Sequence, residues 1–532
     1  MGAAAGGAGG TGLEGAVQRA VGRQGSMAIS GRYHRLPKSL EDDYEPLKAQ
    51  VLGKGYNGAV YLAKRRDTGE EYAVKPFKLS GINREKRDEL ESECEIFLGM
   101  DHPHVARLTD VYEQPEVLNL VMECMSGGEV FKRVLKEKRF TEKDACDTAW
   151  QMLLALNYLH QANVVHRDIK LENFLYEKEG SKHLKLIDFG FSKIWKPNTK
   201  MQLSCGTLSY VAPEVLGKSY GSKCDMWSLG VTVFILLFGY MPFSGSEETQ
   251  VRLIRQGRYS RKEREWKKVS SEAQHFVESL LVVDPTARLS AAQALETPWI
   301  KKRDDVFTRD HEIDQATVDA LSSFAQASHF RRAAMNMMAW SLTNEERAQV
   351  RDAFIEMDTD RSGTISLSEF KKVMLDKFHV DDEHASAAFE AIDYNNQDEI
   401  HYSEFLAAMA GCRIKMHDDL ILKTFKRFDV DNSGYISGGN LKTVLGDAFE
   451  QSEVERILAE IGMANDGQIS YDEFFAYMTH PETHSKHHEI AAAVVDHHVQ
   501  RDDSRKATAR SRRPSDQEKA TRAKSEQCCT VF

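Results

Sequence analysis

The sequence contains few cysteines, and they do not form the close pairs typical of zinc or redox motifs. Eight cysteines occur among 532 residues, and no two of them form a C-x-x-C pair. Apart from the adjacent Cys528 and Cys529, they stand singly along the chain. Because no signal peptide is evident, we expect reduced thiols in an intracellular, cytoplasmic protein.

Long apolar runs and an excess of positive charge are missing as well. The longest apolar run, VTVFILLF at 231–238, is too short to cross a membrane and predicts a buried core helix. The formal net charge of −11 argues against nucleic-acid binding. A chain of 532 residues is too long for a single hydrophobic core, so we expect several domains joined by linkers.

The most informative stretch has the pattern H-R-D-x-K-x-x-N over residues 166–173, and Asp188-Phe189-Gly190 follows it. Phosphoryl transfer requires positioning, metal ions and a base for the attacking hydroxyl. In this pattern Asp168 accepts the hydroxyl proton and Lys170 steadies the charge of the moving phosphoryl group. Asn173 and Asp188 hold Mg²⁺ against the phosphates of ATP. Lys170 indicates the serine/threonine class.

A glycine-rich segment, LGKGYNGAV at 52–60, has the pattern G-x-G-x-x-G-x-V. Such glycines let backbone amides approach phosphate groups. Strand-like segments on both sides, with a turn at 67–69, predict that the segment lies on a β-hairpin. The residues expected to contact the nucleotide are Leu52, Gly53, Gly55, Gly58, Val60, Ala73, Lys75, Glu123, Met125 and Glu129.

Lys75 is expected to pair with the α- and β-phosphates. The motifs so far resemble those of the protein kinases, and this resemblance implies Glu93, on the following helical stretch, as the partner of Lys75, with Glu95 as the alternative. Residues 120–125 form an apolar strand that runs into a connector, and the resemblance implies that the backbone of this connector binds adenine. For Glu129 the resemblance implies a contact with the ribose or with a substrate arginine, and the alternative is a helix-start residue favoured by the helix dipole.

These motifs resemble the protein kinases over residues 44–300, and the resemblance implies a bilobal α+β fold. It further implies a buried ion pair between Glu214 and Arg288, an anchoring role for Asp225 below the catalytic loop, and support of the base by Thr207. Ser204 is either a phosphorylation site or a solvated loop hydroxyl. Since the catalytic set is complete, we expect an active enzyme rather than a pseudokinase.

Residues 301–341 combine aromatic, methionine and basic side chains at near-helical spacing. The apolar and basic members are Phe324, Phe330, Arg331, Arg332, Met335, Met337, Met338 and Trp340. This composition is typical of a helix that a calcium sensor captures in its groove, and the alternative is an ordinary core helix. Thr343 and Glu346 form the pattern of a capping box that starts the next helix.

Residues 342–479 contain four related segments spaced about 35 residues apart, an internal repeat. The first loop, residues 358–369, fills the EF-hand pattern with oxygen ligands and a glycine at the sharp turn, Gly363. Its expected calcium ligands are Asp358, Asp360, Ser362, Thr364 and Glu369.

The other three loops depart from the pattern. In the second loop the expected weak ligands are Asp393, Asn395, Gln397, Glu399 and Glu404, with Asp398 where glycine is preferred. In the third loop the expected ligands are Asp429, Asp431, Ser433 and Tyr435, but Asn440 ends it and cannot give two carboxylate oxygens. The fourth loop has Gly462 and Ala464 at its first two ligand positions, so we expect it not to bind calcium.

A kinase, a basic-hydrophobic junction and four EF-hands in this order resemble the calcium-dependent protein kinases of plants, algae and protists. The resemblance covers residues 44–479. It implies a multidomain chain in which a bilobal kinase fold is followed by an all-α, calmodulin-like EF-hand domain. It also implies that the junction helix blocks the kinase until the sensor binds calcium and captures the helix. The expected cofactors are ATP, Mg²⁺ and Ca²⁺.

The alternatives are a kinase that has lost calcium control because its EF-hands have decayed, and a calcium-responsive scaffold. The intact catalytic residues argue against the scaffold. The expected partners are protein substrates with basic residues near the target serine or threonine, together with the junction helix of the same chain. Glu129 and Glu172 suggest this basic preference.

The two ends of the chain are expected to lack a fold. Residues 1–43 are rich in Gly and Ala and predict a disordered tail. Met1-Gly2 allows N-myristoylation, although Gly6 stands where that motif has Ser or Thr. In the tail 480–532, scattered histidines are expected to be solvated rather than metal-bound.

The last four residues, Cys529 to Phe532, fit the C-a-a-X motif, which predicts geranylgeranylation of Cys529, and Cys528 is a candidate for palmitoylation. Residues 504–526 carry eight basic against three acidic side chains, a net +5. One lipid and a basic segment together supply the two signals that stable membrane anchoring requires.

Overall fold

The structure is a computed structural model that describes residues 13–55, 58–190, 192–194, 201, 207–306, 313–446, 451–461 and 467–479. The chain divides into two compact units, residues 1–475 and 476–532. Of the second unit only residues 476–479 are described, as the end of the last helix. None of the helices in these ranges combines the length and the apolar character that crossing a bilayer requires.

The N-terminal part of the first unit is built on a six-stranded sheet. Its strands are β1 (Tyr33–Arg35), β2 (Tyr44–Gly55), β3 (Gly58–Arg65), β4 (Glu71–Lys78), β5 (Leu108–Glu113) and β6 (Val117–Glu123). The strand order is β1-β5-β6-β4-β3-β2, with β1 parallel to β5 and the other neighbours antiparallel. Its helices are α1 (Leu13–Gln24), α2 (Ser26–Ser30), α3 (Leu40–Asp43) and α4 (Arg84–Leu98).

The structure corrects the prediction of a disordered tail for residues 13–43. These residues form α1, α2, β1 and α3. Apolar side chains at Leu13, Ala16 and Ala20 recur at helical spacing and are buried. The small side chains in this segment therefore line a packed helix face, and the Gly and Ala content does not mark disorder.

The larger, mainly helical lobe follows. Its helices are α5 (Val130–Glu137), α6 (Glu142–Gln161), α7 (Pro213–Leu216), α8 (Lys223–Phe238), α9 (Glu247–Gln256), α10 (Glu263–Trp266), α11 (Ser271–Leu280), α12 (Ala291–Leu295) and α13 (Pro298–Val306). Its short strands are β7 (Val164–Val165), β8 (Phe174–Tyr176), β9 (Leu184–Leu186) and β10 (Lys193–Ile194), and residues 171–173 and 208–210 form 3₁₀ turns. Helix α8 contains the apolar run 231–238 and is buried throughout after its first residue, which confirms the predicted core helix.

The C-terminal region is helical. Its helices are α14 (Gln315–Gln326), α15 (His329–Ala339), α16 (Asn344–Ala348), α17 (Arg351–Met357), α18 (Leu367–Phe378), α19 (Asp382–Ile392), α20 (Tyr402–Met409), α21 (Asp418–Phe428), α22 (Gly438–Leu445), α23 (Gln451–Ile461) and α24 (Tyr471–Thr479). Short strands β11 (Ile365–Ser366) and β12 (Glu399–Ile400) pair, as do β13 (Tyr435–Ser437) and β14 (Gln468–Ser470), so that the loops are joined two by two. The predicted capping box of Thr343 and Glu346 starts α16.

A buried ion pair joins Glu214 on α7 to Arg288, which lies in the segment between α11 and α12. Arg288 donates to both carboxylate oxygens of Glu214, at 2.6 and 3.0 Å, and its side chain is fully buried. The same guanidinium donates to the carbonyls of Val282 and Lys223. Removal of one partner from a buried, fully hydrogen-bonded ion pair of this kind strongly destabilises a fold.

Replacement of Arg288 by alanine is expected to lower the free energy of unfolding by about 3–5 kcal/mol, because Glu214 is left buried without its partner. The measurement is urea denaturation followed by tryptophan fluorescence. Lys267→Ala is the matched control, since Lys267 pairs with Glu263 on an exposed surface. Equal effects of the two substitutions would contradict the assignment of a structural ion pair to Arg288.

Candidate active site and calcium-binding loops

Lys75 on β4 lies between two carboxylates. Its Nζ atom is 2.7 Å from Glu93 Oε1 on α4 and 2.7 Å from Asp188 Oδ1. Burial alone would lower the pKa of Lys75, but the charges of Glu93 and Asp188 raise it above its usual value. Burial would raise the pKa of Asp188, and the ammonium of Lys75 lowers it instead. The lysine is therefore held charged and in one position.

Of the two candidate partners for Lys75, Glu93 is the one that contacts it. Glu95 accepts hydrogen bonds from Arg19, at 2.7 Å, and from Arg23, both on α1. Residues two apart on a helix are rotated by about 200°, so the two glutamates leave α4 on nearly opposite sides.

The catalytic loop is fixed from below by Asp225 at the start of α8. Its carboxylate accepts from the backbone amides of His166, at 2.9 Å, and Arg167, at 2.8 Å. Arg167 has a φ of 68° and Asp188 a φ of 63°, in the left-handed region that side chains with a Cβ rarely adopt. The hydrogen bonds of Asp225 help to hold the strained backbone at Arg167 in place.

Asp168 lies at the centre of a hydrogen-bond network. Its Oδ2 accepts from Lys170 Nζ at 2.5 Å and from Asn173 Nδ2 at 3.2 Å, and its Oδ1 accepts from Thr207 Oγ1 at 3.2 Å. Asn173 Nδ2 also donates to the Asp168 carbonyl at 2.7 Å. This leaves the amide oxygen of Asn173 as the atom of that side chain that could bind a metal ion.

Phe189, which follows Asp188, is buried among rings that join the two lobes. Its ring lies 5.0 Å from Phe97 of α4 and 5.4 Å from His166 of the catalytic loop. A shift of α4 would therefore disturb Asp188 through Phe189 as well as Lys75 through Glu93.

The glycine-rich segment forms the predicted hairpin of β2 and β3. Gly53 is paired with Val60, and Gly55 with Gly58. Gly58 has a φ of 134°, which only glycine adopts without strain. The hairpin is therefore the one that the sequence predicts, and the approach of its backbone to phosphates stays a prediction.

The carboxylate of Glu123 is engaged by other residues of the chain, which leaves its backbone as the part that could bind the nucleotide. Its buried carboxylate accepts from Lys185 Nζ at 2.7 Å, from the Arg107 amide at 2.7 Å and from Arg347 on α16. Since the Glu123 amide donates to the Arg107 carbonyl at 3.1 Å, its own carbonyl is the group suited to adenine. The carboxylate instead links the back of the connector to the C-terminal region.

Glu129 and Glu172 are the two acids from which the sequence predicts a preference for basic substrates. Glu129 is the residue before α5, but its side chain makes no capping bond and pairs with Lys132 at 2.7 Å. Its place at the start of α5 agrees with the helix-start interpretation, and a contact with the ribose or with a substrate arginine stays a prediction. Within the described residues, Glu172 has a buried carboxylate oxygen, Oε2, without a hydrogen-bond donor.

The first EF-hand loop has the geometry of a calcium site. One oxygen each from Asp358, Asp360 and Glu369 lie within 4.8 Å of one another, and no other group of three acidic, His or Cys side chains in the described ranges meets this limit. Burial, together with the neighbouring charges of Glu369 and Asp360, raises the pKa of Asp358 to about 7. Carboxylates that lie this close together, with little positive charge near them, form a site that suits a divalent cation.

The second loop keeps the EF-hand backbone although glycine is missing. Asp398 adopts the required left-handed conformation with a φ of 62°. Asp393 accepts from the amides of Gln397 and Asp398, and burial raises the pKa of Glu404 to about 8. The side chain of Gln397 bonds to His401 and to the Arg23 carbonyl, which weakens the prediction that it ligates calcium.

The third loop holds its early acids in the same way. Asp429 accepts from the amides of Ser433 and Gly434, and Ser433 Oγ donates to the Tyr435 carbonyl at 3.0 Å. Asn440 Oδ1 accepts from Ser437, which is a capping role that needs no carboxylate. Gly462 and Ala464, like Gly2, Ser204 and Cys528-Cys529, lie outside the described residues.

The predicted junction helix lies inside the C-terminal region and not in the catalytic cleft. All of α15 from Phe330 to Ala339 is buried except Arg331 and Arg332. The Phe330 ring lies 5.6 Å from Phe428 of α21 and 6.3 Å from Phe474 of α24. The EF-hand helices thus enclose the apolar face of the segment that joins them to the kinase.

The first calcium loop also contacts the kinase lobe directly. Asn157 on α6 donates to the Arg361 carbonyl at 2.6 Å. A Cβ atom at Gly363 would meet Tyr158 at 2.5 Å, so the turn of the loop leaves no room for a side chain. The conformation of this loop and its fit against α6 therefore depend on each other.

The fold and the site define a protein kinase joined to a pair of EF-hand modules. A family model described as "Protein kinase domain" matches residues 47–300, and one described as "EF-hand domain pair" matches residues 347–410 and 418–479. The catalytic network and the first calcium loop lie inside these two matches.

Similar proteins share this combination over most of their length. Calcium-dependent protein kinase 3 of Plasmodium berghei is 33% identical over 454 residues, 83% of this chain and 81% of that protein. Calcium-dependent protein kinase 17 of Arabidopsis thaliana is 33% identical over 434 residues, 80% of this chain and 82% of that protein. The chain belongs to the calcium-dependent protein kinase family.

The predicted class of enzyme and its cofactors are confirmed by these matches. The chain is an ATP-dependent serine/threonine protein kinase of the calcium-dependent type, and its cofactors are ATP, Mg²⁺ and Ca²⁺. The predicted multidomain fold is confirmed too, with the addition of short strands between the EF-hand loops.

Proposed function

We propose that Asp168 takes the proton of a substrate serine or threonine hydroxyl while the γ-phosphoryl group of ATP is transferred to it. The network around Asp168 supports this role, since Lys170, Asn173 and Thr207 hold the carboxylate in one orientation. When bound, Mg²⁺ would supply positive charge against the negative charge of the phosphate groups. Asn173 and Asp188 would hold that ion, and Lys75, kept in place by Glu93, would hold the α- and β-phosphates.

We further propose that residues 301–341 block the kinase at low calcium and are removed from it by the sensor, residues 342–479. The observation that carries this proposal is the burial of α15 among the EF-hand helices, away from Asp168. When bound, calcium holds the carboxylates of the first loop together. The loop then has the shape that fits against Asn157 and Tyr158 of α6.

We assign the kinase domain to residues 44–300 and the C-terminal tail to residues 480–532.

Hydrogen exchange of the full chain tests this switch. We expect calcium to slow exchange in α15 and in α6 around Asn157, because both segments lose protection when the sensor releases them. Helix α11, which packs on α8 and α13, serves as the internal reference and is expected not to change. Identical protection of α15 and α6 with and without calcium would contradict the proposal.

A preference for basic residues upstream of the target hydroxyl is proposed from Glu129 and Glu172. Loss of one charge-assisted contact in Glu129→Gln or Glu172→Gln is expected to raise KM roughly tenfold for a peptide with an upstream arginine. The measurement is peptide phosphorylation at saturating ATP and calcium. The same peptide with alanine for arginine is the control, and an equal rise in KM for both peptides would refute the assignment.

Membrane anchoring is proposed for the tail, residues 480–532. Geranylgeranylation of Cys529 together with the basic segment 504–526 supplies two weak attractions that add up to stable binding. Cys529→Ser is therefore expected to move the protein from the membrane to the soluble fraction of cells, as measured by fractionation. Thr530→Ser, which keeps the cysteine, is the control. A Cys529→Ser protein as membrane-bound as its parent would count against lipidation at this residue.

A further inference from the structure

The segment of residues 13–35, here called the N-terminal arm, lies outside the kinase match and packs against α4. Arg19 and Arg23 on the arm donate to the buried carboxylate of Glu95. Gln24 Nε2 donates to the Gly99 carbonyl at 2.9 Å, just past the end of α4. The arm therefore holds α4 on the side opposite to Glu93, which faces Lys75.

Arg32 fixes the end of the same helix. This fully buried side chain donates to the Leu98 carbonyl at 2.9 Å and to the Leu108 carbonyl at 2.8 Å. A positive charge at the C-terminal carbonyls of a helix is favoured by the helix dipole. The arm thus contacts α4 at Glu95 and again at its last turn.

The other side of the arm contacts the sensor. Gln397 in the second calcium loop donates to the Arg23 carbonyl, and Arg427 on α21 donates to the Gly31 carbonyl at 2.7 Å. Arg427 also donates to Asp110 on β5 at 3.1 Å. The first two contacts join backbone carbonyls of the arm to side chains of the EF-hand region. The sensor, when docked in this position, therefore holds the arm.

The end of the junction completes the connection. The guanidinium of Arg32 lies 3.6 Å from the ring centre of Trp340, and that of Arg107 lies 4.1 Å from the same ring. Arg107 donates to the Ala339 carbonyl at 2.8 Å. Next to this stack, Gly31 lies against the end of the Met337 side chain. The sensor, the junction and α4 therefore all contact the arm.

We propose that the N-terminal arm is a positioning element, which transfers the docked state of the calcium sensor to α4 and so keeps Glu93 against Lys75. The inference rests on the proposed calcium switch and adds a second effect to it. Release of the junction opens the cleft, and docking of the sensor on the arm also assembles the phosphate-binding pair. Arg19, Arg23 and Arg32 act through α4 and are positioning residues.

The test is a charge exchange between the arm and α4 in the full-length chain. Arg19→Glu with Arg23→Glu is expected to lower the calcium-stimulated kcat roughly tenfold and to raise KM for ATP. KM for the peptide is expected to stay unchanged, because Glu129 and Glu172 are not affected. Glu95→Arg is expected to have the same effect, and the combination of all three changes is expected to restore activity.

Arg35→Glu is the matched control, because Arg35 lies on the arm but pairs with Glu113 of β5 and not with α4. Arg19 and Arg23 are 56% and 40% exposed, so their replacement is expected to leave the fold intact, as thermal unfolding will show. Hydrogen exchange of α4 gives a second readout: calcium should protect α4 in the parent and not in the Arg19→Glu, Arg23→Glu variant.

Parental kcat and parental protection of α4 in the arm variant would overturn the inference. The inference would also be overturned if the triple variant failed to recover activity although the Arg19→Glu, Arg23→Glu variant and the Glu95→Arg variant were both folded. If the parent itself showed no calcium stimulation, the proposed switch would be at fault, and that outcome is read from the parent alone. Loss of activity in the Arg35→Glu control equal to that of the arm variant would reject a specific role of Glu95.

Discussion

Asp168→Asn is expected to lower kcat by roughly 10²–10⁴-fold, the contribution typical of a positioned general base. The amide keeps the size of the carboxylate and some of its hydrogen bonds to Lys170 and Thr207, but it cannot accept the hydroxyl proton. Binding of ATP should be little changed, because Lys75, Asn173 and Asp188 remain. The measurement is phosphate transfer to a serine peptide at saturating ATP, Mg²⁺ and Ca²⁺.

Asp88→Asn is the matched control for that substitution, since Asp88 is an exposed residue on α4 and takes no part in the cleft. It should keep the parental kcat. An Asp168→Asn enzyme with a kcat within a factor of a few of the parent would mean that another group serves as the base. A large rise in KM for ATP would mean that Asp168 has been assigned the wrong task.

Glu369→Gln is expected to abolish most of the calcium stimulation. In this loop Glu369 is the residue that can give two carboxylate oxygens, and calcium requires such a ligand at the twelfth position. Loss of a residue that only orients a metal ligand already weakens metal binding roughly 10–100-fold, and loss of a direct ligand should weaken it at least as much. Kinase activity measured over a calcium titration should show a half-maximal concentration shifted upward by that factor or no response.

Glu473→Gln provides the comparison, because Glu473 occupies the twelfth position of the fourth loop, which is predicted not to bind calcium. Its calcium response should equal that of the parent. An unchanged response of Glu369→Gln would remove the first loop from the switch. A response lost equally in both variants would show that the fourth loop binds calcium despite Gly462 and Ala464.

Local motifs were sufficient to predict contacts among the candidate catalytic residues. Lys75, Asp168, Asn173 and Asp188 occur in short patterns whose residue types follow from the chemistry of phosphoryl transfer. In the structure Lys75 contacts Asp188, and Asn173 contacts Asp168. Spacing alone left Glu93 and Glu95 as alternatives. Only the direction in which each side chain leaves α4 separates them, and the structure supplies that direction.

Contacts between distant segments could not be predicted in this way. The Gly and Ala content of residues 13–43 suggested disorder, while the recurrence of Leu13, Ala16 and Ala20 at helical spacing was the signal for α1. Glu123 illustrates the same limit. Its position predicts a nucleotide contact, which stays a prediction for its backbone. No local pattern indicated that its carboxylate would bind Lys185 and Arg347, the latter 224 residues away in sequence.

The most direct test of the central claim is phosphate transfer from ATP to a basic serine peptide by the full-length protein, with calcium and with a chelator. The account predicts strong activity with calcium and little without it, since only the calcium-bound sensor removes the junction from the kinase. Equal activity under both conditions would contradict calcium control while leaving the kinase assignment intact. Absence of activity under both conditions, with Mg²⁺ present, would contradict the catalytic roles assigned to Lys75, Asp168 and Asp188.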